Sequence, residues 1–96
     1  MTPEGKVVAA IRKVVKELGG ETRKVEWSGR RGAPDLLILL PGQHFFIEAK
    51  APGEKSRPEQ VREHERLVKA GFDVVVIDSV EKVDRFFFPM GRSWKK

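Results

Sequence analysis

Hydrophobic residues at helical spacing predict three helices in this chain. The first begins at Thr2 and Pro3, which suit the N-cap and the first position of a helix, and it ends before Gly19. A second helix is predicted over 58–70, and a short third helix over about 79–86. The residues expected to face inward from the second helix are Val61, Leu67 and Val68.

The remaining apolar stretches predict four strands. Alternation of polar and apolar residues predicts the first strand over 21–27, and the continuous apolar run over 35–40 predicts a second strand buried on both faces. Pro41-Gly42 is a turn dipeptide, so a third strand over 43–50 follows it directly. The fourth strand is predicted over 72–77.

The order of these elements, α-β-β-β-α-β-α, predicts the fold class. Short links join the first three strands, so these strands should be antiparallel. The third strand, the second helix and the fourth strand form a βαβ unit, which requires parallel strands and a right-handed crossover. We therefore expect an α/β fold with a mixed four-stranded sheet flanked by helices. A single domain should cover residues 1–96, with its core over about 2–86 and a basic tail over 91–96.

The hairpin between the second and third strands brings three charged residues to one end of the sheet. If Pro41 and Gly42 are the two loop residues, Asp35 lies directly opposite Glu48 and on the same face. Lys50 follows Glu48 by two residues, so it also points to that face. A register shifted by one residue would separate the three side chains.

Two interpretations of this cluster remain open on geometry alone. Lys50 could neutralise Asp35 and Glu48 in a structural ion pair, as is common at solvated strand ends. Alternatively, the two carboxylates could hold a divalent cation such as Mg²⁺, which accepts carboxylate, water and phosphate oxygens as ligands. The flanking loops favour the second interpretation, because basic residues there would form a DNA-binding rim around an acidic centre. The residues of this basic rim are Arg30, Arg31, Lys55 and Arg57.

Composition restricts the function without deciding it. The 96 residues include 19 Lys plus Arg against 14 Asp plus Glu, a net charge of +5. This charge favours a polyanionic partner such as nucleic acid, although a basic domain without such a partner is the alternative. The chain has no cysteine, which excludes disulfides and cysteine-based zinc sites. No apolar run reaches the roughly 20 residues of a membrane span, and the charged N-terminus is unlike a signal peptide.

At the charged cluster the sequence resembles the PD-(D/E)xK nuclease superfamily. Pro34-Asp35 followed by Glu48-Ala49-Lys50 reproduces its motif, and the predicted αβββαβ order matches its restriction-endonuclease-like core. The finer resemblance, from Glu4 to about Ile77, is to the virus-type replication-repair nuclease (VRR-NUC) domain. The segments that carry it are Gly32 to Asp35, Ile47 to Lys50, Pro58 to Gln60, Ala70-Gly71 and Phe72 to Val76.

This resemblance implies magnesium- or manganese-dependent cleavage of DNA phosphodiesters. Asp35, Glu48 and the backbone carbonyl of Ala49 would be metal ligands, and Lys50 would act on the attacking water. Stand-alone members of the family look like homodimers that cut branched DNA, including four-way (Holliday) junctions. The protein is expected to be intracellular and cytoplasmic, and a phage genome is one candidate source.

The resemblance adds two further candidate catalytic residues. Glu4 matches an acidic residue that reaches the family's metal site, although an acid in a first helical turn is also favoured by the helix dipole. Gln60 matches the glutamine that opens the family's second helix, although it could be an ordinary surface residue. Neither His44 nor His64 lies in a recognisable ligand spacing.

Two other functions remain as alternatives to a structure-selective endonuclease. A sequence-specific restriction-type nuclease shares the fold, but 96 residues leave no room for a separate recognition domain. A DNA-binding module without catalysis is the second alternative, and it would not need the Asp35, Glu48 and Lys50 set. An apolar segment over 86–90, with three successive phenylalanines, is a candidate surface for dimer contact, and the alternative is that it folds back and closes the core.

Overall fold

A computed structural model describes residues 1–94 of the chain, with side chains over 1–90. Three helices and four strands occur in the predicted order. Their bounds are α1 (Pro3–Glu17), β1 (Glu21–Lys24), β2 (Leu36–Leu40), β3 (Gln43–Ala49), α2 (Pro58–Lys69), β4 (Val74–Ile77) and α3 (Val80–Trp94).

The sheet has the predicted mixed topology. Its strand order is β1-β2-β3-β4, with the first three strands antiparallel and β3 parallel to β4. Leu40 pairs with Gln43, and Leu36 pairs with Ile47. Gly42 has a φ of 77°, which the second central position of a turn after Pro41 requires. The turn therefore sets the predicted register, and Asp35 precedes β2 by one residue, at the position opposite Glu48.

The main core lies on one face of the sheet. Val7, Ile11 and Val15 form the buried stripe of α1, and α3 contributes Val83 and Phe87 to the same cluster. Full burial of each such side chain contributes roughly 1.5–3 kcal/mol before the cost of ordering the chain. The β2 and β3 residues facing this core are Leu36, Ile38, Leu40, Phe45, Ile47 and Ala49.

The opposite face of the sheet packs against α2, and here two expectations were wrong. Val61 and Val68 are 45% and 56% exposed, whereas Glu63 and His64 are buried. On this face of the sheet the side chains of β2 are only half-buried, so β2 is not fully buried on both faces. The helix turns polar residues towards the sheet because charged groups lie beneath it, and it packs mainly against β4, which leaves this side of β2 partly uncovered.

The last helix is longer than the sequence pattern predicted. It extends to Trp94 and includes Pro89, so residues 91–94 belong to a helix and not to a tail. Val83, Phe87 and Met90 lie at spacings of four and three residues, and all three pack on the core. This packing outweighs the local tendency of proline to end a helix. Lys95 and Lys96 lie outside the described residues.

The edge strands are shorter than predicted. β1 ends at Lys24, and Trp27 beyond it packs edge-on against Phe46, with ring centroids 6.3 Å apart. β4 begins at Val74, two residues later than predicted. Within the part of the chain that the structure describes, no helix is long and apolar enough to cross a membrane.

Candidate active site

The ends of β2 and β3 bring Asp35, Glu48 and Lys50 together, as the hairpin register predicted. Lys50 Nζ lies 3.0 Å from Glu48 Oε2. Asp35 Oδ2 accepts the backbone N–H of Ala49 at 2.8 Å, and the Asp35 carbonyl accepts the N–H of Val25 at 2.9 Å. Asp35 is therefore anchored to both neighbouring segments, with its second carboxylate oxygen available to a ligand.

Gln60, at the start of α2, joins the other members of the site. Its Oε1 accepts from Lys50 Nζ at 2.8 Å and from the backbone N–H of Arg57 at 2.9 Å. Its Nε2 donates to Glu48 Oε2 at 3.0 Å. One amide thus contacts the lysine, the glutamate and the preceding loop, so Gln60 is not an ordinary surface residue.

The site is buried, which changes the electrostatics of the cluster. Glu48 is 2% exposed and Lys50 is 5% exposed. Burial and, to a smaller extent, the negative charge of Asp35 raise the pKa of Glu48 to about 7 against the opposing effect of Lys50. The cluster is therefore not the solvated strand-end ion pair of the first interpretation. Strongly perturbed carboxylates of this kind are typical of functional sites.

Relative to the wild type, Glu48→Gln is expected to gain stability as pH rises in metal-free solution. The Glu48 pKa is about 7 in the folded protein against an ordinary value of 4.5, so folding favours the protonated acid. Protonated Glu48 therefore stabilises the wild type at pH values below its ordinary pKa of 4.5. This contribution declines as pH rises through the folded-state pKa of about 7. The decline is on the order of 3 kcal/mol, and glutamine abolishes it.

Thermal unfolding of both proteins at about pH 5 and about pH 8 measures this effect, because the two pH values bracket the transition. Glu17→Gln, at an exposed position on α1, is the matched control. An equal change in melting temperature at both pH values would contradict the assigned environment of Glu48.

Glu4 is near the site without being bonded to it. Its side chain is exposed, and it makes no hydrogen bond or ion pair among the described residues. Its charge makes the smallest of the contributions that raise the pKa of Glu48. The structure thus places Glu4 on the same side of the molecule as the site, and not in contact with it.

The basic rim is exposed at all four of its positions, which are Arg30, Arg31, Lys55 and Arg57. Arg30 Nη1 also lies 3.6 Å from Oε1 of the buried Glu63. The loop that carries Arg30 is held close to α2 by Gly32, where a Cβ atom would lie 2.4 Å from the carbonyl oxygen of Glu59. This close approach holds the loop of Arg30 and Arg31 against the first turn of α2, which carries Gln60.

Two buried polar residues of α2 were not assigned to the site by sequence reasoning. Glu63 pairs with Arg66 at 3.1 Å as well as with Arg30, so it ties the basic loop to the helix. His64 Nε2 lies 3.9 Å from Glu48 Oε1. The signal that could have found His64 is its spacing of four residues from Gln60, which places both on one helical face.

The donor set fits a hard divalent cation. Glu48 Oε1 is buried and has no hydrogen-bond partner, which is costly unless a ligand satisfies it. The backbone N–H of Lys50 donates to the carbonyl of Ile77 in β4. The carbonyl of a trans peptide points away from its N–H, so the Ala49 carbonyl faces the opposite side, towards Asp35. No three ligating side chains converge among the described residues, but Mg²⁺ needs only one or two carboxylates plus water.

Comparison with known proteins identifies relatives of this chain. Residues 4–81 match the family model of the VRR-NUC domain. The p44 protein of Acyrthosiphon pisum secondary endosymbiont phage 1, which is named as a nuclease, is 52% identical over 66 residues, 68% of this chain and 71% of that protein. A solved structure described as a VRR_NUC domain superposes with a TM-score of 0.86 at 42% identity, over 92% of this chain and 97% of that one.

Proposed function

Since the chain belongs to the VRR-NUC family of nuclease domains, we propose that it hydrolyses DNA phosphodiester bonds in a metal-dependent reaction. The observation that carries this proposal is the buried set of Asp35, Glu48 and Lys50 with an unsatisfied carboxylate oxygen. A purely structural ion pair would leave no such oxygen, and a DNA-binding module would not need it.

The residues present would hold and assist a cation in distinct ways. Asp35, Glu48 and the Ala49 carbonyl would be its ligands, with Mg²⁺ or Mn²⁺ as the ion. When bound, such an ion makes a coordinated water more acidic and stabilises charge on the phosphate. Lys50 uses one donor on Glu48 and one on Gln60, so its third N–H can orient the water or contact a phosphate oxygen.

The basic rim supports DNA as the substrate. Arg31, Lys55 and Arg57 are exposed in the loops that precede Asp35 and follow Lys50, and the net charge of the chain is +5. Phosphate contacts of this kind bind any DNA sequence and weaken with salt. They provide affinity and position without base recognition, which suits a nuclease that selects DNA by shape.

Cleavage of DNA is expected only when a divalent cation is present. The test compares a linear duplex and a four-way junction, each with Mg²⁺, with Mn²⁺ and with excess EDTA. Faster cleavage of the junction, stopped by EDTA, is the expected result. Cleavage that survives EDTA would contradict the metal proposal. Sequence-dependent cutting of the linear duplex would indicate a restriction-type enzyme, and binding without cleavage would indicate a non-catalytic module.

The proposed active form is a homodimer that cuts branched DNA. A four-way junction needs two symmetric cuts, and a twofold dimer presents two equivalent sites. A groove of about 520 Å³ between α2 and β4 supports this pairing. The exposed apolar residues on and beside these elements are Val61, Val68, Phe72 and Val76.

This α2–β4 surface is better suited to a second copy than the phenylalanine segment is. Phe87 is buried and Phe86 is half-buried, so the segment closes the core. β4 is an edge strand, Val74–Ile77, with no proline or charge to discourage pairing. In an antiparallel twofold contact of α2 with itself, Val61 would meet Val68 of the other copy.

Light scattering is expected to report a dimer mass for the wild type and a monomer mass for Val68→Glu. The substitution places a charge on the exposed apolar stripe of α2, so folding should be unaffected while pairing is lost. Phe88→Glu is the comparison variant, because Phe88 is 57% exposed on α3. A monomeric wild type would contradict dimerisation. Loss of the dimer with Phe88→Glu alone would place the contact on α3.

A further inference from the structure

His64 is a buried residue beside the active site with no role in the chemistry described above. It is 8% exposed and lies one helical turn after Gln60 on α2. Its Nε2 atom is buried and has no hydrogen-bond partner. Since buried polar atoms are rarely left unpaired, this nitrogen requires an explanation.

The atom that faces this nitrogen is also unpaired. Glu48 Oε1 is buried without a partner, and it lies 3.9 Å from His64 Nε2. The other oxygen of Glu48 is fully engaged, because it accepts from Gln60 Nε2 and lies 3.0 Å from Lys50 Nζ. Two unsatisfied atoms therefore face each other across a gap too long for a hydrogen bond and closable by a movement of about 1 Å.

The imidazole of His64 can donate from Nε2 in either charge state, because this nitrogen carries a proton in the cation and in one of the two neutral forms. The neutral imidazole carries a single N–H, on one nitrogen or the other. A proton on Nε2 would give both unpaired atoms a partner and leave the second lone pair of Glu48 Oε1 for the cation, whereas a proton on Nδ1 would set two acceptors against each other.

We propose that His64 is a positioning residue that donates its Nε2–H to Glu48 Oε1 and holds this carboxylate in the orientation that binds the cation. The inference deepens the proposed metal site and rests on it. Gln60 and His64, on successive turns of α2, then each donate a hydrogen bond to one oxygen of Glu48. Direct ligation by His64 is less favoured, since no three ligating side chains converge among the residues that the structure describes.

The test compares three variants with the wild type. His64→Leu removes the donor, and His64→Gln keeps an N–H near the position of Nε2. His44→Gln, at an exposed position of β3, is the matched control. The affinity for Mn²⁺ is measured by calorimetry at about pH 8, above the Glu48 pKa of about 7, and thermal melts check that each variant folds.

His64→Leu is expected to weaken Mn²⁺ binding roughly tenfold or more, as loss of a partner of a metal ligand does. His64→Gln and His44→Gln should remain near the wild-type affinity. Unchanged affinity in His64→Leu would overturn the proposal. Equal losses in His64→Leu and His64→Gln would also overturn it, because they would indicate an imidazole that ligates the ion directly.

A second measurement works without metal and without any variant. Long-range ¹H–¹⁵N NMR of the wild type reports which ring nitrogen of His64 carries the proton. The expected result is the Nε2–H form, and a proton on Nδ1 would overturn the proposal even if His64→Leu failed to fold. A wild type that shows this form but does not bind Mn²⁺ would contradict the metal site alone.

Discussion

Asp35→Asn is expected to abolish DNA cleavage while leaving the fold intact. Asparagine keeps an oxygen that can accept the Ala49 N–H, which Asp35 Oδ2 now accepts at 2.8 Å. It loses the negative charge that a cation requires at this position. A bound metal contributes several kcal/mol to transition-state stabilisation. A loss of about 4 kcal/mol of this transition-state stabilisation lowers the cleavage rate about a thousandfold.

The measurements are the cleavage rate on a four-way junction, the affinity for Mn²⁺ and the melting temperature. Asp84→Asn, at an exposed position of α3, removes an equivalent charge away from the site and should leave all three unchanged. Cleavage by Asp35→Asn at the wild-type rate would show that the metal site has been misassigned. A collapse in melting temperature would instead show that Asp35 is mainly structural.

Lys50→Met is expected to abolish cleavage without abolishing metal binding. Methionine has a similar length, so it fills the buried position, but it cannot orient or deprotonate a water. Loss of a general acid–base group lowers a rate by about 10²–10⁴-fold. The carboxylates remain, so Mn²⁺ should still bind.

The same substitution should make stability depend on metal. Lys50 is the buried ion-pair partner of Glu48. Removing one partner of a buried pair typically costs about 3–5 kcal/mol, because an uncompensated charge remains. Mn²⁺ can replace that positive charge, so the melting temperature of Lys50→Met should rise more on adding Mn²⁺ than that of the wild type.

Lys13→Met, at an exposed position of α1, is the matched control for Lys50→Met. It should retain cleavage and show the wild-type response of stability to Mn²⁺. Active Lys50→Met protein would exclude Lys50 from the chemistry. Inactive protein that no longer binds Mn²⁺ would show that Lys50 acts by organising the carboxylates.

The sequence by itself determined the sheet and the position of its charged residues. Pro41-Gly42 sets a two-residue turn by local backbone geometry, and the turn determines which residues of β2 and β3 are opposite each other. Side chains alternate along a strand, so Glu48 and Lys50 must share a face. These rules act over a few residues, which is why the meeting of Asp35, Glu48 and Lys50 follows from the order of residues in the hairpin.

Only the tertiary structure decided which face of each helix is covered. The valines of α2 predicted an inward face at Val61 and Val68, yet the helix turns Gln60 and His64 inward instead. The reason is that Glu48 and Lys50 are buried beneath α2, where hydrogen-bonding partners are worth more than apolar contacts. The burial that raises the pKa of Glu48 likewise depends on α2, an element distant in sequence. The orientation of α2 and the burial of Glu48 both depend on contacts between segments distant in sequence, so the pattern within one segment does not predict them.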